Sequence, residues 1–269
     1  MRIIELEDVS FAYPNGYFAV ENISLQLEAG DSIAIIGQNG AGKTTTVKLM
    51  NNLYQPTSGR VLVLGEDTRK HTTAQISRNV GYVFQNPDDQ IFNSDVRKEI
   101  SYGPRVNKIP QAEARRCFDL AVQLTGLEHV LDENPYNLPL SIRKFVTIAS
   151  VIAMNPDVLI FDEPTAGQDM IGLATLENLI QALKGLGKTV ITITHDMEFV
   201  IRSFQHVIVM AHKRKIADGD VADIFWDTAT LNDADLKQPF IGSLARRLGF
   251  KERVMTCDDL VSAIKNLNA

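Results

Sequence analysis

The chain has 269 residues, of which 45% are apolar, and carries a net charge of −6 with a pI near 5.4. That length fits one large domain, or a domain with a small appendage, and the apolar share suits a globular protein with a sizeable core. The acidic balance argues against a broad nucleic-acid-binding face, so no nucleic-acid partner is expected.

Along the chain, Arg2 to Val9 is of strand type, Tyr13-Pro14-Asn15-Gly16 is a turn signal, and a second strand follows through Ile23, Leu25 and Leu27. Glu28 to Asp31 makes another turn. Ser32 to Ile36 is a short β-branched run suited to a strand buried on both faces; it ends at Gly37, and a helical pattern begins near Gly42. Val80 to Phe84, Val158 to Phe161 and Thr189 to Thr194 read as further buried parallel strands, and Gln111 to Thr125, Ser141 to Ala153 and Gly172 to Lys184 as helices between them. The alternation predicts an α/β fold, a parallel sheet with helices on its faces. The block from Arg97 to Leu138 has no strand candidate and is expected to be an inserted helical subdomain. Asp218-Gly219-Asp220 reads as a turn, after which Phe240, Ile241, Leu244 and Leu248, then Leu260, Val261, Ile264 and Leu267, fall at helical spacing, as ordinary core stripes of a helical appendage. Thr256 with Asp259 has the form of a capping box opening the last helix.

No apolar run approaches the roughly 20 residues of a spanning helix. The N-terminus has no basic region, apolar run and cleavage site, so no signal peptide is expected. Cys117 and Cys257 have no metal-ligand spacing, which suits a reduced, cytosolic setting.

Chemistry concentrates after the buried strands. Gly37-Gln38-Asn39-Gly40-Ala41-Gly42-Lys43-Thr44 is a complete phosphate-binding loop between a strand and a helix. Its glycines let backbone N–H groups turn inward around a phosphate, Lys43 supplies a charge whose evident duty is to the phosphates, and the Thr44 hydroxyl suits Mg²⁺. These eight residues, with Thr45 behind them, are the expected ATP contacts. Val158 to Phe161 delivers Asp162 and Glu163 at a strand end, where open α/β sheets place ligands. Asp162 suits the Mg²⁺ shell, and Glu163 suits the general base that orients and deprotonates the attacking water. His195, after Thr189 to Thr194, is placed to sense the γ-phosphate. Gln85 can meet Mg²⁺ or the attacking water. Tyr13 can stack on adenine or be an ordinary strand tyrosine.

These elements, in this order, resemble the ATP-binding subunit of ABC transporters over about Ile4 to Gly219. By that resemblance Tyr13 is the adenine-stacking aromatic, Gln85 the Q-loop glutamine, Asp169 the D-loop aspartate and His195 the switch histidine. The extended segment Val83 to Phe92, then Tyr102-Gly103-Pro104 and Leu244 to Gly249, is similar to the energy-coupling-factor (ECF) ATPases, which power vitamin and metal-ion uptake. The resemblance implies a P-loop NTPase core with an antiparallel β subdomain and a helical subdomain at about 97–150, all within residues 1–222. It also implies a small dimerisation domain over 223–269. The family's signature, usually Leu-Ser-Gly-Gly-Gln, falls 24 residues before Asp162, at Leu138-Pro139-Leu140-Ser141-Ile142, where only the leucine is kept.

The reading is a transport ATPase on the cytoplasmic face of the membrane. Its expected partners are a second, different ATPase subunit, a transmembrane coupling subunit and a substrate-binding membrane subunit. The alternative is a soluble ABC-type ATPase acting on nucleic acid or ribosomes, but its tandem domains or long coiled-coil insertion are absent from this sequence. A small-molecule kinase would not explain Glu163, Asp169 and His195 together.

Overall fold

A computed structural model describes residues 1–267, with the backbone alone for Leu267. Two sheets form its frame. The smaller is antiparallel, in the order β2-β1-β4-β5, built from β1 (Arg2–Ala12), β2 (Phe18–Glu28), β4 (Ser58–Val63) and β5 (Glu66–Asp67). The larger runs β10-β9-β3-β8-β7-β6, from β3 (Ser32–Ile36), β6 (Val80–Val83), β7 (Val158–Asp162), β8 (Thr189–Ile193), β9 (His206–Ala211) and β10 (Arg214–Asp220). β6, β7, β8, β3 and β9 pair in parallel, and β10 closes the edge antiparallel to β9.

Every residue of β3, β6, β7 and β8 is buried, which is why these strands read as continuous apolar runs. Alternate side chains serve different cores. Ile33, Ile35, Val158 and Ile160 face the antiparallel sheet, whereas Ala34, Ile36, Leu159 and Phe161 face the helices of the other side.

The helices are α1 (Lys43–Met50), α2 (Thr73–Ile76), α3 (Val96–Val106), α4 (Gln111–Thr125), α5 (Leu140–Ala153), α6 (Met170–Gly185), α7 (Met197–Ser203), α8 (Val221–Trp226), α9 (Thr228–Asp233), α10 (Phe240–Arg247) and α11 (Cys257–Leu267). α3 and α4 pack on α5, forming the helical insertion expected between strands. Among the described residues no helix is long and apolar enough to cross a membrane. β4, opening on Ser58-Gly59, and the six- and seven-residue helices α7 to α9 show too little periodicity to be read from sequence.

Two expectations are corrected. Asp218-Gly219-Asp220 is not a turn but the end of β10, paired with Ile208, Val207 and His206. Asp218 sits on an edge strand, held by His206 at 2.6 Å and Lys215 at 2.7 Å, and Asp220 caps α8 through the Ala222 N–H. Acidic edge-strand residues imitate turn composition. The C-terminal stripes are not ordinary core throughout. Ala245, Val254 and Ala263 form a small cluster with Ile241 and Leu260 against it, but Phe240 is 72% and Leu248 58% exposed. Leu267 of the second stripe lies outside the described side chains. The Thr256–Asp259 capping box is present, with reciprocal bonds of 2.9 and 3.1 Å.

Candidate functional site

The C-terminal ends of β3, β7 and β8 converge on one edge. From β3 the chain turns through Gly37, Gly40 and Gly42, all at positive φ, into α1. At Gly42 a Cβ would lie 2.6 Å from the Ala19 carbonyl oxygen, so only glycine lets the loop pass so close to β2. Lys43 is buried, and its Nζ donates to the Gly37 carbonyl at 2.7 Å and to that of Gln38 at 3.0 Å. The lysine therefore also staples its own loop, a duty beyond the phosphate one expected of it. Burial pushes its pKa below the ordinary lysine value, against the pull of Glu163 and Asp162.

Asp162 ends β7 and is 2% exposed. The Thr44 hydroxyl donates to its Oδ1 at 3.3 Å, and the Tyr82 hydroxyl donates to its Oδ2 at 2.6 Å. Glu163 follows at φ 50°, a strained setting for a non-glycine residue. Four contacts hold it there. Its N–H donates to the Ile193 carbonyl at 2.9 Å, its carbonyl accepts from Lys144 Nζ at 2.7 Å and from the Ala166 N–H at 3.3 Å, and its Oε2 lies 2.8 Å from Nδ1 of the exposed His195. A cavity of about 140 Å³ opens between Asn39, Gly40, Gly42, Lys43, Thr44, Thr45, Gln85 and Glu163. Gln85, on the exposed loop after β6, thus faces the phosphate loop across it. Tyr13 stands half-buried beside the loop, its hydroxyl 3.3 Å from Thr45 Oγ1 and its ring edge-on to Phe11 and Tyr54. Asp169 caps α6 through the Gly172 N–H at 2.7 Å.

The signature segment lies at the mouth of α5. Pro139 is its N-cap, without a side-chain cap bond, and Leu140 is 43% exposed. The Ser141 carbonyl accepts from Gln168 Nε2 at 3.2 Å.

Two residues at this edge, Tyr82 and Lys144, and one bond of Gln38 escaped the sequence reading. Tyr82 is hidden in a strand buried throughout. Lys144 carried a legible signal: with Thr147, Ile148 and Val151 it forms the buried i, i+3, i+4, i+7 stripe of α5, where a lysine is anomalous. Gln38 is tied through Nε2 to the carbonyl (3.2 Å) and carboxylate of Asp235, so the phosphate loop is bonded to the segment after α9.

Chemically, the edge offers the backbone of a glycine-rich turn and an ammonium for phosphate oxygens. It also has a carboxylate positioned by a histidine and a set of hard oxygen donors. The Thr44 hydroxyl and Asp162 carboxylate already converge, and Gln85 lines the same cavity as Thr44. This donor set fits a small divalent cation such as Mg²⁺.

Comparison with known proteins places the chain. The family model described as ABC transporter matches residues 20–166. A relative in Methanosarcina acetivorans, provisionally named an ABC transporter ATP-binding protein, is 37% identical over 97% of this chain, which spans 43% of that protein's length. The energy-coupling factor transporter ATP-binding protein EcfA of Methanocaldococcus jannaschii is 33% identical over 94% of this chain and 92% of its own. The solved structure of cbiO1 from Clostridium perfringens, described as part of the ABC transporter complex cbiONQ, superposes with a TM-score of 0.77. Its identity to this chain is 33%, covering 91% of this chain and 99% of cbiO1.

Proposed function

This chain belongs to the ABC transporter family, among the relatives of its energy-coupling-factor ATPases, and we propose that it binds and hydrolyses ATP to power uptake of a vitamin or a metal ion through membrane partner subunits. The observation that carries the proposal is the convergence, on one sheet edge, of a phosphate loop, Asp162 bonded to Thr44, and Glu163 bonded to His195.

In this reading Gly37 to Thr45 wrap the phosphates of ATP, and Tyr13 lies against adenine. Lys43 exchanges its two loop carbonyls for the β- and γ-phosphate oxygens, a move eased because its present acceptors are neutral. Thr44, Asp162 and Gln85 would hold Mg²⁺, which when bound neutralises charge developing on the transferred phosphoryl oxygens. Glu163 takes the proton of the attacking water. His195 holds the Glu163 carboxylate in place and meets the γ-phosphate from β8. The strained backbone at Glu163 fixes where that carboxylate emerges.

The proposed division is an ATP-binding domain over residues 1–222 and a C-terminal dimerisation domain over 223–269. The proposed location is the cytoplasmic face of the membrane, held there by a coupling subunit and a substrate-binding subunit. The other ATPase in the complex is proposed to be a different chain. In the family the signature meets the γ-phosphate held by the opposite subunit, and here Pro139 offers no hydroxyl and no N–H, while Leu140 replaces a glycine with bulk.

The test is phosphate release from Mg-ATP by the purified chain, together with fractionation of cells that produce it. A motor subunit sediments with membranes in complex with other subunits and hydrolyses ATP. A chain that stays in the soluble fraction, bound to ribosomes or nucleic acid, overturns the transport reading. A chain that neither binds nor cleaves ATP overturns the ATPase reading as well.

A further inference from the structure

Asp162 uses its two carboxylate oxygens differently. Oδ1 faces the phosphate loop and accepts from Thr44 at 3.3 Å, while Oδ2 turns back into the sheet and accepts from Tyr82 at 2.6 Å. Tyr82 lies on β6, the neighbouring strand, in register with Ile160. Side chains alternate along a strand, so Ile160 and Asp162 share a face, and Tyr82 stands on that same face one step behind the carboxylate. The placement follows from the pairing of two parallel strands and involves no loop.

The apolar requirement at this position does not explain the residue. Tyr82 is 7% exposed, packs among Val80, Val158 and Ile160 in one core, and meets the Phe84 ring edge-on at 4.9 Å. A phenylalanine would fill the same slot. What tyrosine adds is a hydroxyl, and a hydroxyl this deep must have a partner; Asp162 is the one it has. A 2.6 Å O–H···O⁻ bond lies in the short, charge-assisted range. A carboxylate can only accept, so in this pair the tyrosine hydroxyl is the donor.

We infer that Tyr82 is the positioning residue for Asp162: by occupying Oδ2 from behind, it fixes the carboxylate so that Oδ1 is presented to Thr44 and to a divalent cation at the phosphate loop. The inference rests on reading this edge as an Mg-ATP site. Outer-shell partners of this kind orient a ligand without touching the metal, and their removal typically weakens metal affinity about 10–100-fold. Tyr82 is buried behind Asp162 and has no route to the nucleotide itself, so metal-free nucleotide binding is not its business.

The experiment uses the full chain and its Tyr82→Phe variant, with Mn²⁺ as a spin-visible stand-in for Mg²⁺ and a non-hydrolysable ATP analogue. Three quantities are measured: Mn²⁺ affinity at saturating analogue by electron paramagnetic resonance, analogue affinity in chelator, and melting of the free protein. The expected result is Mn²⁺ affinity weakened about 10–100-fold, with metal-free analogue affinity close to wild type and melting lowered by the loss of one buried bond. Equal Mn²⁺ affinity in the two proteins overturns the inference. So does a variant in which metal-free nucleotide affinity falls as far as Mn²⁺ affinity, because the hydroxyl would then be structural. A wild-type chain whose analogue binding takes up no Mn²⁺ overturns the Mg-ATP reading itself, and is told apart by appearing before any substitution is made.

Discussion

At the phosphate-loop edge, the side chains of Lys43, Thr44, Asp162 and Glu163 are each bonded within the chain; at the start of α5, Pro139 caps the helix without a side-chain bond and Leu140 has no polar group to offer. In the first region Lys43, Asp162 and Glu163 are buried, and the geometry is set by the fold, from strand pairing, from a glycine turn pressed against Ala19 and from the Lys144 and His195 contacts. The second presents a proline and a half-exposed leucine where a helix N-terminus would ordinarily offer N–H groups and a capping hydroxyl. In the proposed reading, one half of the nucleotide equipment is completed from inside, and the other half serves a neighbour, poorly. In a homodimer both sites would inherit the weak half. With a different partner, this chain's own phosphate loop would face an intact signature.

The contrast breaks most sharply at Glu163. Glu163→Gln keeps the strained backbone and its three main-chain contacts but removes the base, so ATP binding should persist while hydrolysis falls about 10²–10⁴-fold. Near-normal turnover with intact binding would take Glu163 out of that role and leave the phosphate edge without its chemistry. Next comes the weak half. Pro139→Ser with Leu140→Gly restores a capping hydroxyl, an N–H and room for close approach. Donors aimed at developing charge are each worth about 10²–10³-fold, so the double variant alone should hydrolyse ATP at least about tenfold faster than the wild-type chain alone. An unchanged rate would show that Leu138 to Ile142 is not what limits the isolated protein.

Lys43→Ala tests the inside-built half at smaller scale. Mg-ATP at about 100 times its dissociation constant should stabilise the wild-type chain by about 2.7 kcal/mol, and the variant hardly at all, read from melting with and without nucleotide. Because Lys43 donates to Gly37 and Gln38, the free variant should also lose some stability, on the order of 1 kcal/mol per bond before relief of the buried charge is counted. Nucleotide stabilisation equal to wild type would mean that the ammonium is only a loop staple.

What could be read from sequence at this site was what lies together in sequence. The phosphate loop is one unbroken run, and Asp162-Glu163 ends a continuous apolar strand, so both fold and chemistry were visible there. Contacts across long separations were not. Tyr82 and Asp162 are 80 residues apart, and Gln38 and Asp235 are 197 apart; neither bond leaves a local period or composition behind. The Asp218 to Asp220 segment misled because an edge strand paired through His206 uses the same acidic and glycine residues as a turn. The C-terminal stripes misled because helical spacing reports a face but not what covers it, and Phe240 and Leu248 are left largely uncovered by the described residues.

The two regions are joined by one side chain. Lys144 stands in the first turns of α5, a few residues behind Pro139 and Leu140, and its ammonium reaches the Glu163 carbonyl. Burial lowers its pKa below the ordinary 10.5, with Glu163 and Asp162 pulling the other way. A lysine so depressed gives up its proton in the folded chain at a lower pH than in the unfolded one. Between those two values the unfolded state binds more protons, so stability rises with pH. The burial penalty is therefore fully present below the lowered value and fades as pH climbs towards 10.5. Lys144→Met has no such group, and it leaves the Glu163 carbonyl only the longer bond from the Ala166 N–H at 3.3 Å, a loss of about 1.5–3 kcal/mol for the charged donor set against the removed charge. The expected outcome is a difference, wild type minus variant, that grows in favour of wild type as pH is raised from neutrality, measured by paired urea melts. A difference that stays flat or shrinks would mean that the ammonium is solvated at both ends of the range. The start of α5 would then have no buried hold on Glu163, and the phosphate edge and the signature segment would be separate after all.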